Sequence, residues 1–188
     1  KKASFGKLFL YIFFMKGSIL IASPNLLFDS FFSKTIILLV DQTQDGYTGF
    51  ILNKALKIKI KEVKNFKIFN GGPVSNENLY FIYKTEKPVK GSLKIKDNFY
   101  WGGNIDEIFK LIEEEIIDNN NIRFFIGYSG WDFNQLKNEI ENKNWIVCKK
   151  NIETILEIRN KKHWKDEMKN LGGEYLLWSE SPENPLSN

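Results

Sequence analysis

Short apolar runs closed by turn residues, not long periodic stretches, dominate the early part of the chain. Ser18-Ile19-Leu20-Ile21-Ala22 is stopped by Pro24, and Thr35-Ile36-Ile37-Leu38-Leu39-Val40 is rich in β-branched residues. Asp45-Gly46 supplies a turn, after which Thr48-Gly49-Phe50-Ile51-Leu52 returns. Such runs are too short for core helices and carry the side chains that suit a pleated, buried surface. They predict buried strands joined as an antiparallel pair or meander, and the fold must accommodate that meander first.

The pattern then changes. Leu56-Lys57-Ile58-Lys59-Ile60-Lys61 alternates with period two, which predicts an edge strand with its lysines outward. Phe66 to Phe69 predicts a strand ending at Asn70-Gly71-Gly72-Pro73, and Leu79 to Tyr83 and Asn98 to Trp101 predict two more. Asn104 caps a helix with Asp106 and Glu107 in its first turn. Its apolar stripe is Ile105, Ile108, Phe109, Ile112 and Ile116, and 118–121 closes it. Ile122 to Ile126, interrupted only by Arg123, predicts a central strand running into Gly127-Tyr128-Ser129-Gly130-Trp131. Asp132 and Gln135 form a capping pair for a helix that buries Phe133, Leu136 and Ile140. Trp131, at that corner, is expected to be buried with its indole N–H on an oxygen. Trp145 to Cys148 predicts a strand, and Asn151 caps a helix. Trp164, Met168 and Leu171 line the last helix, ended by Gly172-Gly173, and Tyr175 to Trp178 predicts a closing strand. No repeat and no linker interrupts the series.

Composition narrows the chemistry. The chain has 188 residues, 43% hydrophobic and 27% charged, values of a globular chain with a core that needs no staple. Cys148 and His163 are its only cysteine and histidine, which excludes an internal disulfide and any zinc cluster of three or four Cys/His ligands. The net charge is +4, yet all but two of the 27 basic residues are lysine, Arg123 and Arg159 being the exceptions. Phosphate and base readers favour the planar guanidinium, so a solvated lysine surface is the preferred reading. Lys1 and Lys2 before the apolar run Leu8 to Met15 resemble a signal-peptide opening, but the run is shorter than the about 20 residues of a membrane span. Residues 1–16 are expected to be an extension or a docked first element, residues 17–188 one domain, and no segment a membrane span.

Familiar catalytic loops are incomplete. Gly102-Gly103 lacks the spacing of a dinucleotide turn, and no Walker loop is present. Gly127-Tyr128-Ser129-Gly130 has a glycine two before the serine but places the next one too early for a nucleophile elbow. Glu113-Glu114-Glu115 fans around a helix axis and does not converge on a metal. Cys148 ends an apolar strand, where a buried thiol is inert.

Several local patterns nevertheless occur together. These are 17–24 followed by Asp29, Phe32 and 35–39; Gly46 to Gly49 with Phe50-Ile51-Leu52-Asn53-Lys54; and Gly71-Gly72-Pro73-Val74. The most specific is 125–131 with Gln135-Leu136, Glu139 and Trp145, and the ending adds 171–173 and 182–185. In this order they resemble the YqgE/AlgH family of bacterial proteins, and Tyr100 to Gly103 with Arg123-Phe124-Phe125 resembles its Bacteroidetes branch. The resemblance implies an α+β fold with a mixed, largely antiparallel, bifurcated sheet curled into a pseudo-barrel with flanking helices. It also implies a cytoplasmic bacterial protein without an established reaction, and for one branch the label of transcriptional regulator. The chain departs from the pattern at Asp41-Gln42 and Ile82-Tyr83, which stand where relatives carry histidines, and at Ala55 and Asn134. Losing both histidines argues against metal or acid–base chemistry.

The resulting expectation is a non-enzymatic protein that binds a protein or small-molecule partner, with no cofactor, no metal and no catalytic residues. Its ligand-binding candidates are Asn53, Gly71, Gly72, Pro73, Tyr128, Ser129, Trp131 and Gln135. Specific DNA binding is the alternative, with the basic stretch Arg159 to His163, Lys165 and Lys169 as the place to look. An enzyme of unknown reaction is the third, resting on Asp29, Asp41 and Glu139.

Overall fold

The structure, a computed structural model, describes residues 15–181. The expectations for 1–14 and for the motif at 182–185 lie outside the described residues. The strands are β1 (Ser18–Ala22), β2 (Ile36–Gln42), β3 (Gly46–Ile51), β4 (Ile68–Asn70), β5 (Val74–Lys84), β6 (Leu93–Lys96), β7 (Phe99–Trp101), β8 (Ile122–Asp132) and β9 (Trp145–Lys149). The helices are α1 (Ile105–Glu113), α2 (Phe133–Glu141), α3 (Ile152–Glu157), α4 (Lys161–Leu171) and α5 (Glu174–Ser179).

The strands form an open sheet in the order β6-β7-β5-β8-β3-β2-β1-β9, with β4 joined to β8 beside that path. Every pairing is antiparallel except β4 with β8. The fork lies on β8. Phe124 to Ile126 pair with β4, whereas Ser129 to Asp132 pair with β3. Gly127, at φ +71, makes the change of partner possible: a Cβ there would meet the carbonyl oxygens of Gly72 and Val74 at 2.6 and 2.8 Å.

The expected pseudo-barrel is a sheet that curls round one core without closing. Ile19, Leu38, Phe50, Phe69, Ile82, Ile95, Phe99 and Phe125, one from each of β1 to β8, pack in a single buried cluster. Trp164 and Met168 of α4 and Ile155 of α3 complete it, and the Trp164 indole donates to the Ala22 carbonyl at 2.8 Å. The opposite faces are covered by helices: Leu136 of α2 packs with Ile37, Trp131 and Trp145, and Ile108 of α1 with Phe81, Tyr83 and Phe124. Met15 is buried in the α2 layer.

Four expectations are corrected. Leu56 to Lys61 is not a strand: β4 begins at Ile68, so beyond the Leu56 N–H bond to the Ile68 carbonyl the alternating segment has no strand beside it. Tyr175 to Trp178 lies in α5 instead of a closing strand. The positive φ of Gly172 and Gly173 ends α4, and the chain re-enters a helix with Glu174 in its first turn. Leu171 is exposed. Finally, α1 stops at Glu113, so Ile116 faces solvent and Ile117 takes the buried position. Strand β6, Leu93-Lys94-Ile95-Lys96, shows the period-two alternation of an edge strand and is an element the sequence expectations omit.

Candidate functional site

The eight candidate residues do not form one surface. Gly71, Gly72 and Pro73 make the β4–β5 turn, which rests on Tyr128 and Ser129 of β8; the buried Ser129 hydroxyl donates to the Gly71 carbonyl at 3.1 Å. A Cβ on Gly72 would lie 2.3 Å from Ser129 Oγ and from the Tyr128 carbonyl carbon. Asn53, only 1% exposed, binds the carbonyl of Lys34 and the N–H of Ile36 through its amide, at 2.9 Å each. Trp131 is buried as expected, and its indole donates to Glu139 Oε2 at 3.0 Å. Gln135 donates its backbone N–H to Asp132 and its amide to Glu139 Oε1.

The signature acids are held apart by separate duties. Asp29 accepts from the backbone of Phe31 and Phe32, Asp41 pairs with Lys16 at 3.0 Å, and Glu139 takes the indoles of both Trp131 and Trp145. Burial pushes the Cys148 thiol above its ordinary range. Among the described residues no group of three His, Cys, Asp or Glu side chains is placed to hold a metal. On α4, Trp164 and Met168 face the core, Glu167 pairs with Lys150 and Lys169 with Glu180, so its outer face mixes both charges.

Three basic residues line one hollow elsewhere. A cleft of about 430 Å³ is lined by Lys54, Arg159 and Lys161, by Asn53, Asn70 and Asn160, and by Ala55 and Leu56. One wall is the 53–56 segment leaving β3, held to β4 where Asn70 donates to the Lys54 carbonyl at 2.8 Å. The other is the passage from α3 into α4, where Asn160 caps Lys162 and the Arg159 N–H donates to His163 Nδ1. Buried Arg123 ties the two walls together. Its guanidinium donates to the carbonyls of Leu52 at 3.3 Å, Ile158 at 2.6 Å and Leu156, and lies 4.7 Å from the Phe69 ring centroid. Burial and neighbouring Arg159 push its pKa down to about 9, so it remains a cation at neutral pH.

The cleft is electrostatically loaded. Burial and, after it, the Lys161 charge hold Lys54 below the ordinary lysine range, against a smaller opposing effect of Asp29. Among the described residues no carboxylate lines the cleft, and the Lys54 ammonium already donates to the Phe31 carbonyl. Of the lining, only Asn53 is among the ligand candidates expected from the sequence, and Arg159, Asn160 and Lys161 belong to the basic stretch expected for DNA contact. Arg123 is the single charge inside an apolar strand, and a buried guanidinium demands acceptors, which is the one signal of the cleft's frame in the sequence.

The chain matches the family model described as AlgH-like over residues 19–176. A UPF0301 protein of Cytophaga hutchinsonii is 36% identical over 180 residues, covering 92% of this chain and 98% of that one. A UPF0301 protein of Bacteroides thetaiotaomicron is 34% identical, covering 92% and 91%. The solution structure of AlgH from Pseudomonas aeruginosa has a similar fold, with a TM-score of 0.70 at 18% identity over 90% of this chain and 95% of that one. The crystal structure of DIP2367 from Corynebacterium diphtheriae gives 0.68 at 20% identity over 88% and 91%. Among the described residues no helix is long and apolar enough to cross a membrane. By sequence along almost its whole length, the chain belongs to the AlgH-like family.

Proposed function

We propose that this protein acts by binding, not by catalysis, and that its ligand is an anion seated in the cleft between the 53–56 segment and the α3–α4 passage. The observation that carries this reading is one hollow lined by the basic residues Lys54, Arg159 and Lys161 together with the side-chain amides of Asn70 and Asn160. The signature acids support the same reading, since each already serves a turn, a lysine or an indole pair. The β4–β5 turn and Ser129 then belong to the frame, not to the ligand contact.

Titration of isotope-labelled protein with pyrophosphate, followed by amide shifts, tests this. Saturable shifts centred on Lys54, Ala55, Asn70, Asn160 and Lys161, weakening as salt rises, are expected. Shifts centred on the Gly71-Gly72-Pro73 turn, or none at all, would refute it.

A further inference from the structure

We propose that the outer face of α5 is the contact through which two copies of this chain form a two-fold dimer. The anion cleft plays no part in it. Helix α5 turns Tyr175 onto the main core and buries Ser179 fully. Its outward side is left to three consecutive apolar residues, Leu176, Leu177 and Trp178, all exposed, Leu177 at 79%. Phe28, three residues beyond Asn25, is exposed at 75%. A helix that is apolar on its outer side as well as its inner one has the pattern of a buried helix. Exposed apolar surface of this kind marks a contact with another molecule.

Shape points to a second copy. Next to Leu177 in the chain, Trp178 lines a hollow of about 210 Å³ together with Ser23, Pro24, Asn25 and Tyr175. The far wall is fixed, because the Asn25 amide donates to the carbonyls of Asn142 and Lys143 at 3.3 Å each. A protruding leucine beside a hollow makes a face that is its own complement. A two-fold axis then seats the Leu177 of each copy in the hollow of the other, and the contact closes on itself. An apolar anchor entering a pocket walled by an indole is the composition of an interface hot spot.

Area and charge agree. At their exposures Phe28, Leu176, Leu177 and Trp178 present on the order of 400 Å² of apolar side chain. That is half of the about 800 Å² each partner contributes to a stable interface, the remainder being a polar rim. The rim carries both signs: Lys143 and Glu174 line the hollow, and exposed Lys169 pairs with Glu180. Two-fold pairing sets acids of one copy against bases of the other. An anionic lipid surface or a nucleic-acid backbone would call for lysines without the two glutamates.

Sedimentation equilibrium of the full chain from about 1 to 200 µM tests this, with a reversible monomer–dimer equilibrium inside that range expected. Leu177→Glu should weaken the dimer at least about tenfold, since each interface would then bury two unpaired carboxylates. Its melting temperature should stay within about 2 °C of the parent, because the residue is exposed in the single subunit. Ile58→Glu, an equal change at an exposed apolar residue outside α5, should alter the dimer constant less than about twofold. A dimer indifferent to Leu177→Glu, or weakened equally by both substitutions, overturns the assignment of this face. A monomer throughout the range overturns the dimer, and co-sedimentation of that monomer with phosphatidylserine vesicles, lost in Leu177→Glu, would assign the face to a membrane surface instead.

Discussion

Replacing Arg123 with methionine keeps much of the side-chain volume and removes the charge. Three buried carbonyls, those of Leu52, Leu156 and Ile158, then lose their donor. A hydrogen bond to a charged group contributes about 1.5–3 kcal/mol, so the gross loss is large. Relief of the desolvation of a buried cation offsets several kcal/mol of it. A net destabilisation of about 3 kcal/mol is expected, which for a chain of this length lowers Tm by about 6–12 °C. Arg123→Lys should fall between, because a point charge cannot span three acceptors as the planar fork does. Differential scanning calorimetry of the three proteins at pH 7 measures this, with phosphate affinity alongside. Since Arg123 ties the carbonyl before Asn53 to those before Arg159, affinity should drop with stability even though Arg123 does not line the cleft. A methionine variant within about 2 °C of the parent, or one destabilised with unchanged affinity, would refute the role assigned to this arginine.

Glu139 gathers two indole N–H groups and the Gln135 amide, so Glu139→Ala should cost about 2–3 kcal/mol in urea unfolding and Glu139→Gln less than half of that. Gly72→Ala would place its Cβ 2.3 Å from Ser129 Oγ at a φ of +151°, so a loss above about 3 kcal/mol is expected by the same assay; a neutral result would mean that the β4–β5 turn is not locked on β8. Anion affinity should decline as pH rises through the depressed pKa of Lys54, at lower pH than an ordinary lysine would give, and Lys54→Met should flatten that profile. The sign for stability is opposite. A lysine whose folded pKa lies below its unfolded value costs stability while charged, and the cost is relieved as pH rises from the folded towards the unfolded value.

The strands that line the core were legible because β-branched runs between breakers carry their own reading, as 18–22 and 35–40 do. Caps were equally legible: Asn104, Asp132 and Asn151 each accept the backbone N–H their position implies. What failed was anything decided by a partner elsewhere. The alternation of Leu56 to Lys61 was read correctly as a period, but whether it pairs depends on how far β4 extends, and β8 transfers its edge to β3 after Ile126. The four residues 175–178 are too few for periodicity to separate strand from helix. The cleft was hidden for the same reason. Lys54 and Lys161 stand far apart in the chain, and only the fork at Gly127 and the reach of Arg123 bring their segments together. Of the charges that line the cleft, Arg159 and Lys161 stand in a local basic stretch, but nothing in the sequence links that stretch to Lys54.

The central claim is that an oxyanion sits among Lys54, Arg159 and Lys161. Crystals soaked in tungstate, a heavy tetrahedral stand-in for phosphate, test it most directly through the anomalous signal of the metal. The account predicts a strong peak inside the cleft, within hydrogen-bonding reach of all three cationic side chains, and its loss in crystals of Lys161→Glu. Peaks confined to other lysines of the surface, with the cleft empty at the same occupancy threshold, would contradict it.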